Sequence, residues 1–273
     1  VISPVVDFSW LNEHRREVVL ADVRWYLDGR SGLVAYEEGH IPGAVFIDLD
    51  TCLAGPGGND VGRHPLPIPS FFSEAMSENG IGDGATVVAY DDAGGVIAAR
   101  LVWMLRALGE NAALLDGGLK SYTGTLAVGD EKPPHAKFSP RPWLQDRLAT
   151  IDDASDARNV VLDARNRDRY QGENEPVDPR SGHIPGAINL PCRENLNPDG
   201  TFLPVQVLRQ RFEDAGVGEG KTVISYCGSG VTACHNLLAM EWAGLGTGRL
   251  FPGSWSQYSH AADRRVSTGS EPK

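Results

Sequence analysis

The chain has 273 residues, room for one large domain or two ordinary ones, with the composition of a soluble globular protein. It contains no apolar run long enough to span a membrane, and residues 1–11 lack the basic n-region and apolar h-region of a secretory signal. A formal net charge of -11 argues against a general binder of nucleic acid or anionic membrane, so an anionic substrate has to be met by a local cluster of positive charge.

In chain order, an apolar run over 18–22 ends in Asp22 and reads as a buried strand. Gly39-His40-Ile41-Pro42-Gly43-Ala44 follows, and then a short strand over 45–47. The next apolar run, 86–90, ends at Asp91; after it Ile97, Leu101, Met104, Leu105 and Leu108 make the stripe of a helix that Gly109 stops. Prolines and glycines between 124 and 147 break any periodicity. The pattern then repeats: a strand over 160–163 ending in Asp163, Gly182-His183-Ile184-Pro185-Gly186-Ala187 letter for letter, a short strand over 188–190, and an apolar run over 222–226. A helix over about 231–243 closes the second series, with Val231, Cys234, Leu238 and Trp242 on its stripe and Gly244 as its stop.

The strands are continuous apolar runs rather than alternating ones, the pattern of strands buried on both faces in a parallel sheet. Strands alternating with helices make α/β units. The expectation is an α/β protein of two tandem domains, each a mainly parallel sheet flanked by helices: 1–123, a linker over 124–147, and 148–273. His40 and His183 recur in both halves, so both are read as structural.

Four cysteines are present: Cys52, Cys192, Cys227 and Cys234. None forms a C-x-x-C pair, no Cys/His spacing matches a zinc site, and no metal is expected. At this density a disulfide framework is not expected, and a reducing, cytoplasmic setting is the simpler reading. Cys234 falls on the apolar stripe of its helix, and Cys52 and Cys192 follow matching short strands, so none of the three is given a catalytic role.

Cys227 differs. It ends the 222–226 run and opens Cys227-Gly228-Ser229-Gly230-Val231-Thr232 before the helix. On such a turn backbone N–H groups converge and the helix dipole adds positive potential, which favours thiolate, the nucleophilic form. Gly228, Gly230, Val231 and Thr232 form the loop that would hold a sulfur anion. Aligning the halves puts Asp91 where Cys227 stands, so only the second half carries the thiol. An arginine six residues after the cysteine would serve phosphate chemistry; Ala233 is there instead, which sets a phosphatase aside.

Strand-Asp, Gly-His-Ile-Pro-Gly-Ala and a Cys-headed loop before a helix resemble the rhodanese sulfurtransferases over nearly the whole chain. Asp22-Val23-Arg24-Trp25, Asp116-Gly117-Gly118-Leu119 and Pro252-Gly253-Ser254-Trp255 also resemble that family. The loop resembles the type that takes sulfur from 3-mercaptopyruvate, because Gly228 and Ser229 replace the basic residues typical of the thiosulfate type. The resemblance implies ping-pong sulfur transfer through a cysteine persulfide with no separate cofactor, and an acceptor such as thioredoxin, a small thiol or cyanide. It also implies a relay of Ser229, His64 and Asp50 for proton delivery, and substrate binding by Arg169 and Arg180. A guanidinium suits a keto acid's carboxylate. Arg165 and Arg167 are read as structural or surface. Thiosulfate sulfurtransferase activity is the alternative within the fold; a sulfur-binding or scaffold module is the non-enzymatic one.

Overall fold

The computed structural model describes residues 2–272. Within them the chain forms two compact units. Unit 1 runs from the N-terminus to Gly55 and includes Pro67–Trp143 and Leu196–Phe202; unit 2 comprises Pro56–Leu66, Leu144–Asn195 and the chain from Leu203 onward. The Pro-rich stretch after 124 is therefore part of unit 1 up to Trp143, where Phe138 is buried and Ala127 bridges to His40. The segment Pro56–Leu66, which precedes most of unit 1 in the chain, belongs to unit 2.

In unit 1 the strands are β1 (Val5–Val6), β2 (Val18–Asp22), β3 (Ala44–Phe46), β4 (Thr86–Tyr90) and β5 (Asn111–Leu115). They pair in the order β1-β5-β4-β2-β3, all parallel, with Leu20 opposite Val88 at the centre. The helices are α1 (Phe8–Glu13), α2 (Gly32–Glu38), α3 (Leu49–Cys52), α4 (Pro69–Glu78) and α5 (Ala99–Ala107). Local chemistry sets their starts: Ser31 and Asp48 accept the amides of Val34 and Thr51 at the heads of α2 and α3, and Pro69 opens α4.

Unit 2 contains β6 (Val160–Asp163), β7 (Ile188–Asn189), β8 (Val223–Tyr226) and β9 (Arg249–Leu250), in the parallel order β7-β6-β8-β9. Its helices are α6 (Arg167–Gln171), α7 (Val205–Asp214), α8 (Ala233–Trp242) and α9 (Ser254–His260). Both sheets are wholly parallel, as continuous apolar strands require, and their central strands are buried. The two helices after β4 and β8 start two residues later than the apolar stripes suggest, because the turns before them are longer.

The repeated motif has a repeated physical task. His40 and His183 are fully buried, stack on Tyr36 and Tyr170, and donate from Nδ1 to the carbonyls of those same tyrosines at 2.9 and 2.8 Å. Asp22 and Asp163 at the strand ends each hold the arginine two residues on, Arg24 and Arg165, at 2.7 and 2.6 Å; these arginines then donate to the carbonyls of Gly39 and Gly182. The amides of Ile41 and Ile184 donate to the hydroxyls of Tyr90 and Tyr226. Each buried charge is thus paired and hydrogen-bonded, the condition under which burial is tolerated. His40, His183 and Arg165 are structural.

Candidate active site in the second unit

β8 delivers Cys227 to the end of the sheet, and the loop from Cys227 to Thr232 leads into α8. Cys227 is 2 % exposed. Its Sγ accepts the amide of Gly230 at 3.2 Å. Gly230 has φ 78°, and a Cβ there would lie 2.5 Å from the Pro252 carbonyl oxygen, so the tight curl requires glycine.

The head of α9 supports the loop from behind. The Cys227 amide donates to Ser254 Oγ at 3.1 Å, and that hydroxyl donates to the Phe251 carbonyl at 2.9 Å. The carbonyls of Cys227 and Gly228 accept the amides of Trp255 and Ser256. Ser254 holds φ 50°, alone among the described non-glycine residues in lying at positive φ. That conformation costs about 1–3 kcal/mol; two buried hydrogen bonds at about 1 kcal/mol each offset it. The Pro252-Gly253-Ser254-Trp255 motif therefore acts as the loop's backing.

The segment Pro56–Leu66 is fastened to the same place. Gly62, at φ 86°, leaves only 2.5 Å between a notional Cβ and the Gly253 carbonyl oxygen, and Gln257 Nε2 donates to the Asp60 carbonyl at 2.6 Å. This seat brings His64 Nδ1 to 2.8 Å from Ser229 Oγ. Ser229 is buried and His64 half-buried. Beside them lies a cavity of about 460 Å³ lined by Asn59, Arg63, His64, Asp178 and His260 among others.

Two guanidiniums meet at Gly228. A Cβ built there would lie 3.3 Å from Arg63 Nη2 and 3.4 Å from Arg169 Nη1. Arg169, from α6, is held by Glu175 at 2.6 Å. Arg63 pairs with Asp178 Oδ1, and the other oxygen of Asp178 stands 3.4 Å from Arg169 Nη2. Burial pushes the Asp178 carboxyl up, against the pull of Arg63. The loop itself has no basic residue, yet two arginines from elsewhere in the unit stand over it. Arg63 is not among the residues the sequence marks; its one signal is its place in Gly62-Arg63-His64, beside the histidine.

Of the remaining expected residues, Arg180 and Asp50 fall outside this group, and Val231 and Thr232 complete the loop. The Arg180 guanidinium donates to the carbonyls of Tyr258, Ser259, Ala261 and Arg264 at 2.7–2.8 Å, capping the end of α9. Withdrawing it to bind substrate would strand four carbonyls, at about 1.5–3 kcal/mol for each charge-assisted bond lost. Asp50 lies in unit 1, on α3, where its carboxylate accepts Trp25 Nε1 at 2.9 Å. Val231 is buried and Thr232 precedes α8. Cys234 Sγ donates to the Gly230 carbonyl, while burial pushes the Cys192 thiol up to about 12 and raises that of Cys52. No helix among the described residues is long and apolar enough to cross a membrane.

The model of the rhodanese-like domain family matches the chain twice, over residues 7–125 and 143–261. A Pseudomonas aeruginosa protein named "Probable 3-mercaptopyruvate sulfurtransferase" is 40% identical over 93% of this chain and 93% of its own length. The thiosulfate sulfurtransferase of Cricetulus griseus is 31% identical over 98% of this chain and 97% of its own. Among solved structures, SseA from Escherichia coli, described as a 3-mercaptopyruvate sulfotransferase with the rhodanese fold, aligns with a TM-score of 0.80. It is 31% identical, over 93% of this chain and 99% of that one.

Proposed function

From the premise that this chain belongs to the rhodanese family, we propose that it is a sulfurtransferase that takes sulfur from 3-mercaptopyruvate through a persulfide on Cys227. The observation that carries the reading is the pairing of Cys227, whose sulfur accepts a loop amide, with a Ser229–His64 hydrogen bond two residues away.

In the first half-reaction the Cys227 thiolate attacks the donor's sulfur. A sulfur–sulfur bond forms, the carbon–sulfur bond breaks, and its electron pair stays on carbon as the enolate of pyruvate. Ser229, backed by His64, supplies the proton that turns the enolate into pyruvate. Arg169 holds the donor's carboxylate. In the second half-reaction an acceptor thiolate attacks the outer sulfur, the sulfur–sulfur bond to Cys227 breaks, and the Cys227 thiolate returns. The acceptor is a small thiol, a thioredoxin-like dithiol or cyanide. No step calls for a separate cofactor.

Mass spectrometry of the Cys227 peptide after mercaptopyruvate, without reductant, is expected to show one added sulfur. An unmodified peptide would reject the enzyme reading in favour of a binding module. Ser229→Ala is expected to slow mercaptopyruvate turnover by about a hundredfold, the usual worth of a positioned proton donor. Unchanged turnover would remove the relay while leaving the persulfide standing. A thiosulfate reading is favoured by one observation, the two arginines at Gly228.

A further inference from the structure

The duplication runs further than the Gly-His-Ile-Pro-Gly-Ala motif. Ala127-Val128-Gly129-Asp130-Glu131 and Ser267-Thr268-Gly269-Ser270-Glu271 share the spacing of glycine and glutamate, and both glycines lie in the left-handed region, at φ 91° and 90°. Each segment lies as a strap across the buried histidine of its own unit. Ala127 exchanges two backbone hydrogen bonds with His40, and Ser267 exchanges two with His183, all at 2.8–3.0 Å. The Gly129 amide then donates to the Glu37 carbonyl at 2.8 Å and the Gly269 amide to that of Gln171 at 2.9 Å, so each strap also holds the end of the helix before the motif. What the straps enclose differs. Tyr36 and His40 are four residues apart, whereas Tyr170 and His183 are thirteen apart. The excess in unit 2 is an excursion over 173–181, and it carries Glu175 and Asp178, the two carboxylates that hold Arg169. The feet of the excursion stand side by side under the strap. A Cβ on Gly172 would lie 3.3 Å from the Gly182 nitrogen and 3.0 Å from Thr268 Cγ2, and one on Gly182 would lie 2.3 Å from the Ser267 carbonyl oxygen.

We propose that Ser267-Thr268-Gly269 is a latch for the donor site: it closes the base of the 173–181 excursion, holds the end of α6, and so keeps Arg169 aimed at the donor's carboxylate. The proposal rests on the sulfurtransferase reading, in which Arg169 takes that carboxylate. α6 spans only Arg167–Gln171, with Tyr170 as its buried residue. An isolated turn is not stable in water, and the carbonyls at its end need donors from outside. The Gly269 amide is such a donor, and the carbonyl it holds is two residues from Arg169. Within the excursion, Glu175 Oε1 accepts the amides of Val177 and Asp178 as well as Arg169 Nη2, so a shift at the base is passed on to the guanidinium. Gly269 is thus a positioning residue. Unit 1 has the same strap closed over a direct connection from helix to motif, which makes it an internal control for the strap's structural role.

The test is a matched pair of variants, Gly269→Pro and Gly129→Pro. Each removes an amide donated to a helix end and forbids the φ that its strap adopts. Gly269→Pro is expected to raise KM for 3-mercaptopyruvate about tenfold with kcat within about twofold of the parent, the mark of lost donor binding. Transfer to a thiol from Cys227 already loaded with persulfide is expected to keep the parent rate. Amide hydrogen exchange at Val177 and Asp178 is expected to quicken by about tenfold or more. Gly129→Pro is expected to lower stability in urea while leaving KM and those two amides as in the parent. Gly269→Ala keeps the amide and puts its Cβ in open space at a strained φ; it is expected to raise KM about threefold, and it carries the test if the proline variant does not fold. An unmoved KM or unmoved exchange in the Gly269 variants, or an equal rise in KM from Gly129→Pro, overturns the latch. Sulfur loading of the Cys227 peptide in the parent separates this from the reading beneath it. Loading with an unmoved KM defeats only the latch. Absence of loading defeats the sulfurtransferase reading, and the exchange rates alone then decide whether the strap holds the excursion.

Discussion

The loops after β4 and β8 are the same device put to different ends. In unit 1 the fully buried Asp91 turns its carboxylate back into the loop, where Oδ1 accepts the amides of Ala93 and Gly95 and Oδ2 those of Ile97 and Ala98, all at 2.7–2.9 Å. In unit 2 Cys227 stands at the matching strand end, and its sulfur takes the Gly230 amide. An aspartate oxygen lies two bonds beyond Cβ, as the outer sulfur of a cysteine persulfide would. Asp91 thus shows in permanent form what such a loop does for an anion: it surrounds it with N–H dipoles. One unit has an anion that cannot leave, and the other has a thiol to which a transferable one can be attached. The next residue sharpens the difference. Asp92 in unit 1 is bonded to the Tyr26 hydroxyl, whereas Gly228 in unit 2 is bare and faces two guanidiniums.

The strongest way to break this comparison is to exchange the residues. Cys227→Ser is expected to lower sulfur transfer at least about a thousandfold, the scale on which loss of a nucleophile is felt. Adding Asp91→Cys to that variant is expected to restore none of it, because the thiol would then sit beside Asp92 rather than beside the arginines and the Ser229–His64 pair. Turnover recovered in the double variant would mean that the cradle alone makes the enzyme.

A smaller effect concerns stability. Asp91→Asn keeps the shape but replaces one acceptor oxygen by an NH2 group, which then points at amides that also donate. A loss of about 3 kcal/mol is expected, from two charge-assisted bonds weakened and two buried donors unmet. Urea unfolding followed by tryptophan fluorescence would read it. Substitution of Cys227 by Ser removes one sulfur acceptor and is expected to cost about 1 kcal/mol or less. Equal losses in the two variants would mean that the loops do not differ in how far their N–H groups are used.

Both loops could be located from sequence because a buried parallel strand leaves a continuous apolar run, and whatever ends it is exposed to view: Asp91 in one case, Cys227 in the other. The repeated Gly-His-Ile-Pro-Gly-Ala could be read as structural for a similar reason, since a residue present in both halves is not explained by a thiol present in one. The Ser229–His64 contact was reached only through resemblance. Arg63 and Asp178 lie 115 residues apart, and no local pattern joins them. Arg180 is a related case. A guanidinium that binds carboxylate and one that caps a helix have the same letter, and only the carbonyls around Arg180 tell them apart. Linear repeats also concealed that Pro56–Leu66 belongs to unit 2.

The smallest expected effect is a pH dependence that follows from burial in the repeated motif. Burial holds the His183 imidazole below its ordinary value of 6.5, against the opposing pull of the Tyr170 carbonyl and Asp163. The unfolded chain then binds the proton more readily than the folded one between the folded value and 6.5, so stability rises with pH through that window and falls on acidification. The slope from this one group is at most about 1.4 kcal/mol per pH unit. His183→Gln removes the titration while also losing the stack on Tyr170, so the variant is less stable at every pH but changes less between about pH 7 and pH 5. The raised carboxyls of Asp22 and Asp178 act with the opposite sign, their stability falling as pH rises above 3.8, and they are common to both proteins. The difference between the two unfolding curves therefore isolates His183, and parallel curves would mean that the buried imidazole titrates no differently from a free one.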